Sequence, residues 1–294
     1  MGLLVHAVAG QPVSFSSSPL LFLLTVARLE QAGVSGLALE TTRVVRVEAT
    51  TVDEALDQLD ASPDVTEHLL RTVQAQIART PKRPLSAPPP FLAQQGRWLS
   101  LTTPLKHLVG AWTCVDEAHD LLSVNALRLG TNGVFSAGTD GAGVVAVARL
   151  AGCGPHEGGV LRLRGGGGAA RSTAHAWVKA GGRVHVLEGR RPMTPPLPKS
   201  ALAGPDDAAV FAIDFDGDGE GMVATKHLTP AYQNSPVQSD GSLDGPLLDG
   251  RWMLVAQHLE AWRILWAPEL EAALPSIPDL MADLVAVEAV VDAR

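Results

Sequence analysis

The sequence predicts an α/β protein of two domains, the second of them Rossmann-like, and three observations support this prediction. The chain has 294 residues, which is more than one ordinary hydrophobic core organises. Apolar segments with the spacing of strands alternate with segments that have the spacing of helices. A glycine run over residues 165–168 stands between one such strand and one such helix, as is typical of Rossmann-like domains.

The first half of the chain is predicted to begin with a strand over residues 3–9 and a helix over residues 19–30. Ser18 precedes that helix and is a suitable N-cap, because its hydroxyl can accept a hydrogen bond from a free backbone N–H. A second strand is predicted over residues 34–40. The other elements predicted in this half are helices over 52–59 and 64–77, a strand over 97–102, a hairpin of strands 125–129 and 134–137 around Thr131-Asn132-Gly133, and a helix over 139–151.

The second half is predicted to open with a β-α-β unit of the size expected for dinucleotide binding. Its parts are a strand over 160–164, a helix over 169–180 and a strand over 183–188. The elements predicted after this unit are a strand over 209–214 and helices over 252–266 and 277–291. A link rich in glycine and proline at residues 152–159 marks the expected domain boundary.

The composition excludes several classes of function. With 23 basic and 31 acidic residues, the chain lacks the clustered lysines and arginines of a nucleic-acid surface. The apolar run at residues 20–26 is too short to cross a membrane, and the N-terminus lacks the basic region of a secretory signal, so we expect a cytoplasmic protein. Cys114 and Cys153 form no Cys-x-x-Cys pair, so no zinc or redox motif is present and no metal is expected.

The glycine run has the chemistry of a nucleotide site. The first glycine permits a tight turn and the next lets the backbone approach a pyrophosphate, while the following helix offers free N–H groups and a partial positive charge. Arg171 adds a cation, although a flexible loop is the alternative interpretation. The candidate cofactor-binding residues here are Gly165, Gly166, Gly167, Gly168, Ala169 and Arg171.

The end of the next predicted strand gives two opposed signals. Glu188 stands where an acid usually accepts hydrogen bonds from the ribose hydroxyls of NAD and repels a 2′-phosphate. Arg190 and Arg191 follow it and can attract that phosphate instead. The alternative is that all three are solvated loop charges, so NAD and NADP both remain open.

Six short segments occur in a fixed order along the chain. They are GQPVSFSSSP at 10–19, LTTPLK at 101–106, VN at 124–125, GTDG at 138–141, GGGGAAR at 165–171 and GRWMLVAQ at 250–257. In that order they resemble the G-N-P-x-x-x-S-x-S-P, V-T-x-P-x-K, A-V-N-T, N-T-D-G, G-A-G-G-A-A-R and G-x-x-M-L-x-x-Q motifs of the shikimate dehydrogenase family. Because the ordered set covers nearly the whole chain, it is more specific than any one segment.

The resemblance implies the reversible reduction of 3-dehydroshikimate to shikimate with NADP, a step of chorismate and aromatic amino acid biosynthesis. It implies that Lys106 and Asp140 are the catalytic pair and that Ser16 and Ser18 hold the substrate carboxylate. The other substrate contacts that it implies are Thr102, Asn125, Gln257 and, by a looser match, Tyr232. The expected partner is a small cyclic hydroxy acid, and the expected assembly is a monomer or homodimer.

The resemblance also implies a division of labour between the domains. Residues 1–151 are expected to form the substrate-binding catalytic domain and residues 152–249 the NAD(P)-binding domain. The helices of residues 250–294 are expected to fold back on the first domain, because Gln257 must reach the substrate.

The chemistry of these residues agrees with that reaction. Reducing a ketone develops negative charge on oxygen, which the ammonium of Lys106 can stabilise while it delivers a proton. Serine hydroxyls can hydrogen-bond a carboxylate without adding charge. For each residue alone a structural role is the alternative, such as a surface lysine at 106 or a helix N-terminal acid at 140.

The chain departs from the family motifs at several positions. Leu105 replaces a histidine, Ser100 and Gly138 each replace an asparagine, residues 188–190 replace N-R-T, and residues 214–221 replace an N-A-T-type loop. The last segment copies half of a calcium loop but lacks the twelfth ligand, so an acidic turn is expected. These departures leave two alternatives open, a relative acting on quinate or an amino analogue and an inactive relative that only binds a nucleotide or a partner.

Overall fold

The computed structural model describes residues 3–89, 91, 96–107, 110, 112–217, 219–230 and 242–291. The strands are β1 Leu4–Gly10, β2 Thr42–Glu48, β3 Arg97–Leu101, β4 Thr113–Cys114, β5 Ala126–Gly130, β6 Gly133–Ala137, β7 Val160–Arg164, β8 Arg183–Leu187, β9 Ala209–Asp214, β10 Lys226–Leu228 and β11 Leu247–Leu248. The α-helices are α1 Ser18–Gln31, α2 Val52–Gln58, α3 Thr66–Arg79, α4 Asp140–Leu150, α5 Gly168–Lys179, α6 Gly250–Ala261 and α7 Ile277–Val291. None of the described helices combines the length and apolar character needed to cross a membrane.

The chain folds into two compact units. The first comprises Met1–Glu117, Val124–Ala137 and Ala261–Arg294, and the second comprises Ala118–Ser123 and Gly138–Glu260. The predicted α/β class with a Rossmann-like part is confirmed. The unit bounds differ from the predicted domain bounds, since α4 and most of α6 belong to the second unit, and the functional assignment of the domains stays a prediction.

The first unit is built on a mixed sheet with the strand order β2-β1-β3-β5-β6-β4. Strand β1 is parallel to both β2 and β3, whereas β5 is antiparallel to β3 and forms a hairpin with β6. Helix α7 packs against α1 and α3 in this unit. Because β1 and β3 are parallel, their carboxyl ends lie at one edge of the sheet.

An aromatic cluster forms the core of the first unit. His6 of β1 stacks on Phe22 of α1 with ring centroids 4.4 Å apart, and Trp98 of β3 stacks on Trp266 at 5.7 Å. Trp262 meets Trp98 edge-on at 5.0 Å. Trp262 and Trp266 lie on a short π-helical segment after α6, and the Trp266 indole N–H donates to the carbonyl of Leu127 at 3.0 Å. This cluster ties a late segment of the chain to β1, α1 and β3.

An ion pair joins α1 to α7, and its loss should destabilise the fold. Arg28 of α1 donates to Asp283 of α7 at 2.6 Å, the Asp283 side chain is only 1% exposed, and Gln76 of α3 donates to its other oxygen at 3.2 Å. We expect Asp283→Ala to lower the free energy of unfolding by about 3–5 kcal/mol, because the Arg28 guanidinium, whose side chain is only 14% exposed, loses its carboxylate partner. Denaturant unfolding measures this.

A matched control is Asp60→Ala, which removes the ion-pair partner of Arg97. The Asp60 side chain is 65% exposed. That change should cost about 0–1 kcal/mol. Equal costs for Asp283→Ala and Asp60→Ala would contradict the structural role of the buried pair.

The second unit contains a parallel sheet with the order β11-β10-β9-β7-β8. The chain leaves β7 toward β8 on one side, and β9 lies on the other side, so the strand order reverses between β7 and β9. Ligands of open α/β sheets bind in the crevice outside the carboxyl ends of strands at such a reversal. The glycine run follows β7 directly and therefore lies at this position.

Two local predictions from the sequence are wrong. Residues 34–40 form no strand but a connection with a turn at Gly36, whose φ is +89°, and the start of a 3-10 turn at Leu39–Thr41; the strand lies later, at Thr42–Glu48. The N-cap of α1 is Ser17 rather than Ser18. The predicted helix over 252–266 is present, and its last part, Trp262–Trp266, is π-helical.

Candidate functional site

Three of the family-like segments meet at one edge of the sheet in the first unit. Backbone hydrogen bonds join them: Thr102 N–H donates to the carbonyl of Ala9 at 2.9 Å and Gln11 N–H to that of Thr103 at 2.8 Å. The N–H of Leu101 donates to the carbonyl of Asn125 at 2.7 Å. The segments that begin at residues 10, 101 and 124 are therefore neighbours, and their common role in substrate binding stays a prediction.

Gly10 makes this close approach possible. Its φ is +147°, and a Cβ atom there would lie 2.4 Å from Thr102 Cγ2 and 2.6 Å from the carbonyl oxygen of Thr103. Both distances are too short for any side chain. The glycine therefore fixes the path of the loop that carries Ser16 and Ser18 against the loop that carries Thr102 and Lys106.

Ser16 and Ser18 form a paired hydroxyl site at the start of α1. The Ser16 hydroxyl donates to the Ser18 hydroxyl at 3.2 Å, and the Ser18 N–H donates to the Ser16 oxygen at 3.3 Å. Both residues are buried, and Arg46 of β2 donates to the Ser16 carbonyl at 3.1 Å. Their hydroxyls are thus held close together, in an arrangement suited to an oxyanion.

Lys106 lies in a short 3-10 turn, Leu105–His107, three residues after the end of β3. Leu105, the residue that replaces the family histidine, is fully buried and anchors this turn. Lys106 itself is half-buried, and His107 is exposed. Asn125 is buried at the amino end of β5, on the same edge of the sheet. The first unit therefore carries Ser16, Ser18, Thr102, Lys106 and Asn125 on segments that lie at one edge of its sheet.

The second unit contains the other two described candidates for the substrate site. Asp140 is the first residue of α4 and is fully buried. Gly143, one turn further along α4, faces Gln257 of α6, because a Cβ on Gly143 would lie 2.8 Å from the Gln257 backbone nitrogen. The glycine thus allows the backbone of Gln257 to approach the helix turn that begins with Asp140. Tyr232 lies outside the described residues.

The structure explains why position 138 carries no asparagine. A Cβ atom on Gly138 would lie 2.7 Å from the Cβ of Ala118 and 2.9 Å from the carbonyl oxygen of Ser123. The segment 118–123 of the second unit therefore takes the space that a side chain would need. This departure from the N-T-D-G motif thus lies in a tightly packed segment directly before Thr139 and Asp140.

The glycine run has one crowded side and one open side. Gly165 has φ of +118°, which favours glycine, and a Cβ on Gly166 would lie 2.3 Å from the carbonyl oxygens of both Arg191 and Pro192. At Gly167, by contrast, no neighbouring heavy atom of the described chain comes within 4 Å of a Cβ. Gly167 is the N-cap of α5, so the open side faces the free N–H groups of that helix.

Arg171 bonds to the protein's own carbonyl groups. Its guanidinium donates to Leu121 and Leu122 at 2.6 Å each and to Gly166 at 3.1 Å. Burial, with a smaller effect of Arg191, lowers the pKa of Arg171. These bonds fix segment 118–123 and the glycine run, and the predicted contact of Arg171 with a phosphate stays a prediction.

The loops after β8 and β9 meet beside the glycine run. Glu188 and Arg190 are exposed. The backbone N–H of Arg190 donates to Asp216 at 2.7 Å, and its Nε donates to the same carboxylate at 3.2 Å. Asp216 follows β9, and sequence reasoning missed it because only the fold brings it to Arg190.

Asp214 organises the acidic loop that contains Asp216. Its carboxylate accepts N–H bonds from Asp216, Gly217 and Gly219 at 2.8, 2.9 and 2.7 Å. Burial opposes ionisation, but these bonds and Arg164 hold the pKa of Asp214 below its usual value. Because the Asp214 carboxylate is turned toward backbone N–H groups, the loop is an acidic turn. Within the described ranges, no group of three or more His, Cys, Asp or Glu residues is placed to hold a metal.

His258, next to Gln257 on α6, makes the stability of the fold pH-dependent. Burial lowers the pKa of His258 to about 3. The unfolded chain takes up this proton below about pH 6.5, whereas the folded chain does so only near its own lowered value. The contribution of His258 to stability is therefore complete above about pH 6.5 and is lost as the pH falls toward 3.

As the pH is lowered through this window, we expect the free energy of unfolding to decrease, and to decrease less steeply in His258→Gln. The two slopes should differ by up to about 1.4 kcal/mol per pH unit, the value for one proton. Denaturant titrations at a series of pH values measure it. His68→Gln, which changes an exposed histidine of α3, is the control. A slope in His258→Gln equal to that of the natural protein would contradict this account.

Comparison with known proteins gives matches at the level of structure. No protein-family model matches the chain, and no curated protein does. The shikimate 5-dehydrogenase of Thermus thermophilus, solved in complex with shikimate, matches with a TM-score of 0.60 and 21% identity over 99% of this chain and 100% of that one. Mycobacterium tuberculosis shikimate dehydrogenase matches with a TM-score of 0.60 and 18% identity over 98% and 99%.

A further match is to an enzyme with a different name. The 5-ketofructose reductase of a Gluconobacter species matches with a TM-score of 0.56 and 16% identity over 98% of this chain and 99% of that one. These likenesses extend over nearly whole chains, and at such identities they concern the fold. The chain therefore has the two-domain fold of the shikimate dehydrogenases.

Proposed function

We propose that this protein is an NAD(P)-dependent oxidoreductase that reversibly reduces 3-dehydroshikimate to shikimate. The observation that supports it most is that Lys106, the paired Ser16 and Ser18, Thr102 and Asn125 lie on segments at one edge of the sheet in the first unit. These are groups that bind a carboxylate and stabilise an alkoxide. The solved enzyme of Thermus thermophilus with this fold binds NADP(H) and shikimate.

The residues of the glycine run fit a nicotinamide dinucleotide. The open side at Gly167 and the free N–H groups at the start of α5 suit a pyrophosphate, and Glu188 follows the second strand of the unit. When bound, the cofactor supplies or accepts the hydride. NADP is the expectation from the fold relatives, while Glu188 favours NAD.

Lys106 is the proposed acid of the reaction. As the ketone gains a hydride, its oxygen becomes negatively charged, and an ammonium stabilises that charge most strongly in the transition state. The Nζ proton then moves to the oxygen and completes the alcohol, and in the reverse direction the neutral amine takes it back. Asp140 is proposed as the acidic partner in this proton transfer.

The proposed substrate contacts divide by chemistry. The paired hydroxyls of Ser16 and Ser18 donate to the ring carboxylate, which fixes one end of the substrate. The remaining polar side chains are proposed to bind the ring hydroxyls and the reacting oxygen; they are Thr102, Asn125, Gln257 and Tyr232. The proposal places the substrate-binding domain at residues 1–151 and 250–294 and the cofactor-binding domain at residues 152–249.

A different cyclic or polyol ketone is the second candidate substrate. Two family positions near the site are occupied by packing residues, since Leu105 is fully buried and position 138 has no room for a side chain. The 5-ketofructose reductase with this fold carries another substrate in its name. The absence of a polar side chain at positions 105 and 138 favours quinate or an amino analogue of shikimate as the alternative substrate.

One assay separates these candidates. Purified protein is mixed with shikimate, quinate or an amino analogue and with NAD⁺ or NADP⁺, and the absorbance of the reduced nicotinamide is followed. We expect turnover with shikimate, with quinate slower. Turnover with quinate alone would establish the alternative. Tight nucleotide binding without any turnover would support an inactive relative instead.

A further inference from the structure

Asp216 fills the space beside Gly189 at the carboxyl edge of the parallel sheet. A Cβ atom on Gly189 would lie 2.4 Å from the Oδ2 atom of Asp216 and 3.0 Å from the backbone nitrogen of Gly165. A side chain at position 189 therefore fits only if Asp216 moves. Position 189 corresponds to the arginine of the N-R-T motif, so the chain has a carboxylate where such a side chain would begin.

The Asp216 carboxylate is held by the backbone. The Arg190 N–H donates to it at 2.7 Å, and the Asp216 side chain is 14% exposed, so this bond is mostly shielded from water. The Arg190 side chain is 76% exposed, and its own ion pair with Asp216 therefore contributes little stability. The pair nevertheless directs the guanidinium to an acid of the protein and partly neutralises its charge.

We propose that Asp216 is a specificity-determining residue that makes the nucleotide site select NAD over NADP, an inference that rests on the proposed function. A 2′-phosphate is strongly negative, whereas the ribose hydroxyls of NAD are neutral and can donate to an acid such as Glu188. With Asp216 beside the glycine run, two carboxylates act near the loop after β8 and oppose the phosphate. Arg190, already paired, offsets only part of that repulsion.

Calorimetric binding of NAD⁺ and NADP⁺ tests this proposal without requiring turnover. We expect the natural protein to bind NAD⁺ at least about tenfold more tightly than NADP⁺, and Asp216→Asn to reduce that ratio about tenfold. Asp206→Asn is the matched control, because it changes the net charge equally at an exposed residue of the same unit. Its ratio should equal that of the natural protein.

A double-mutant cycle shows whether the effect passes through Arg190. If Asp216 withholds this arginine from the phosphate, Asp216→Asn will reduce the ratio less in an Arg190→Ala background. Asp216→Ser is the second variant should Asp216→Asn unfold, because a small hydroxyl side chain removes the charge and stays polar.

The outcomes separate this inference from the proposed function. Preference of the natural protein for NADP⁺, or equal ratios in Asp216→Asn and Asp206→Asn, would overturn the role of Asp216 and leave the dehydrogenase proposal standing. Failure of the natural protein to bind either nucleotide would overturn both. A ratio that falls in Asp216→Asn alone supports the inference.

Discussion

Lys106→Ala is expected to lower kcat about a thousandfold while the dissociation constant of the nucleotide changes less than about twofold. The reason is that the ammonium acts on charge that develops only in the transition state, so its removal leaves cofactor binding intact. Steady-state kinetics and calorimetry on the same preparation measure the two quantities. Lys106→Met, which keeps most of the side-chain length, should be equally impaired.

Lys82→Ala provides the control for this experiment. Lys82 is an exposed lysine of the same unit, and its loss should leave kcat unchanged. Two results would contradict the role of Lys106: a kcat close to that of the natural protein, or a loss of activity that is fully explained by weaker nucleotide binding.

Gly167→Val should weaken nucleotide binding by about a hundredfold or more and leave the stability of the fold unchanged. The backbone at Gly167 has φ of −75° and ψ of 178°, which valine adopts readily, and no described neighbour lies within 4 Å of the new Cβ. The side chain instead fills the space that a pyrophosphate needs. Calorimetry and thermal unfolding together measure the two effects.

Two comparison variants sharpen this test. Gly166→Ala should destabilise the fold as well, because its Cβ would meet the carbonyl oxygens of Arg191 and Pro192 at 2.3 Å. Gly204→Val, at an exposed glycine of the same unit, should affect neither quantity. Unaltered nucleotide affinity in Gly167→Val would show that the open side of the glycine run is not the binding site.

The sequence predicted the parts of the fold that depend on local pattern. The strand, glycine run and helix from Val160 to Lys179 were predicted nearly residue for residue, because the apolar period changes on either side of the glycines. Strand β2 was missed because Arg43 and Arg46 interrupt its apolar residues, while Val34, Leu37 and Leu39 imitate a strand in a connection that buries them.

Contacts between segments that are distant in sequence could not be predicted from the sequence. The four glycines of the run are identical in sequence, yet residues 191–192 leave no room for a side chain at Gly166, whereas Gly167 has free space around it. Only the folded chain creates this difference. Asp216 belonged to an acidic turn with no evident role, and its bond to Arg190 spans 26 positions. The paired serines, by contrast, were named from the sequence, because the segment at residues 10–19 resembles a family motif that contains both, and in the structure their hydroxyls bond to each other.

The proposal that hydride passes between a nicotinamide and a hydroxy acid is tested most directly by isotope transfer. Shikimate carrying deuterium on the carbon that becomes the ketone is incubated with the natural protein and NAD⁺ or NADP⁺, and the reduced cofactor is examined by mass spectrometry. The proposed function predicts one deuterium in the reduced cofactor with the natural protein and about a thousandfold slower labelling with Lys106→Ala. Unlabelled cofactor, from a preparation that binds the nucleotide and shikimate, would contradict it.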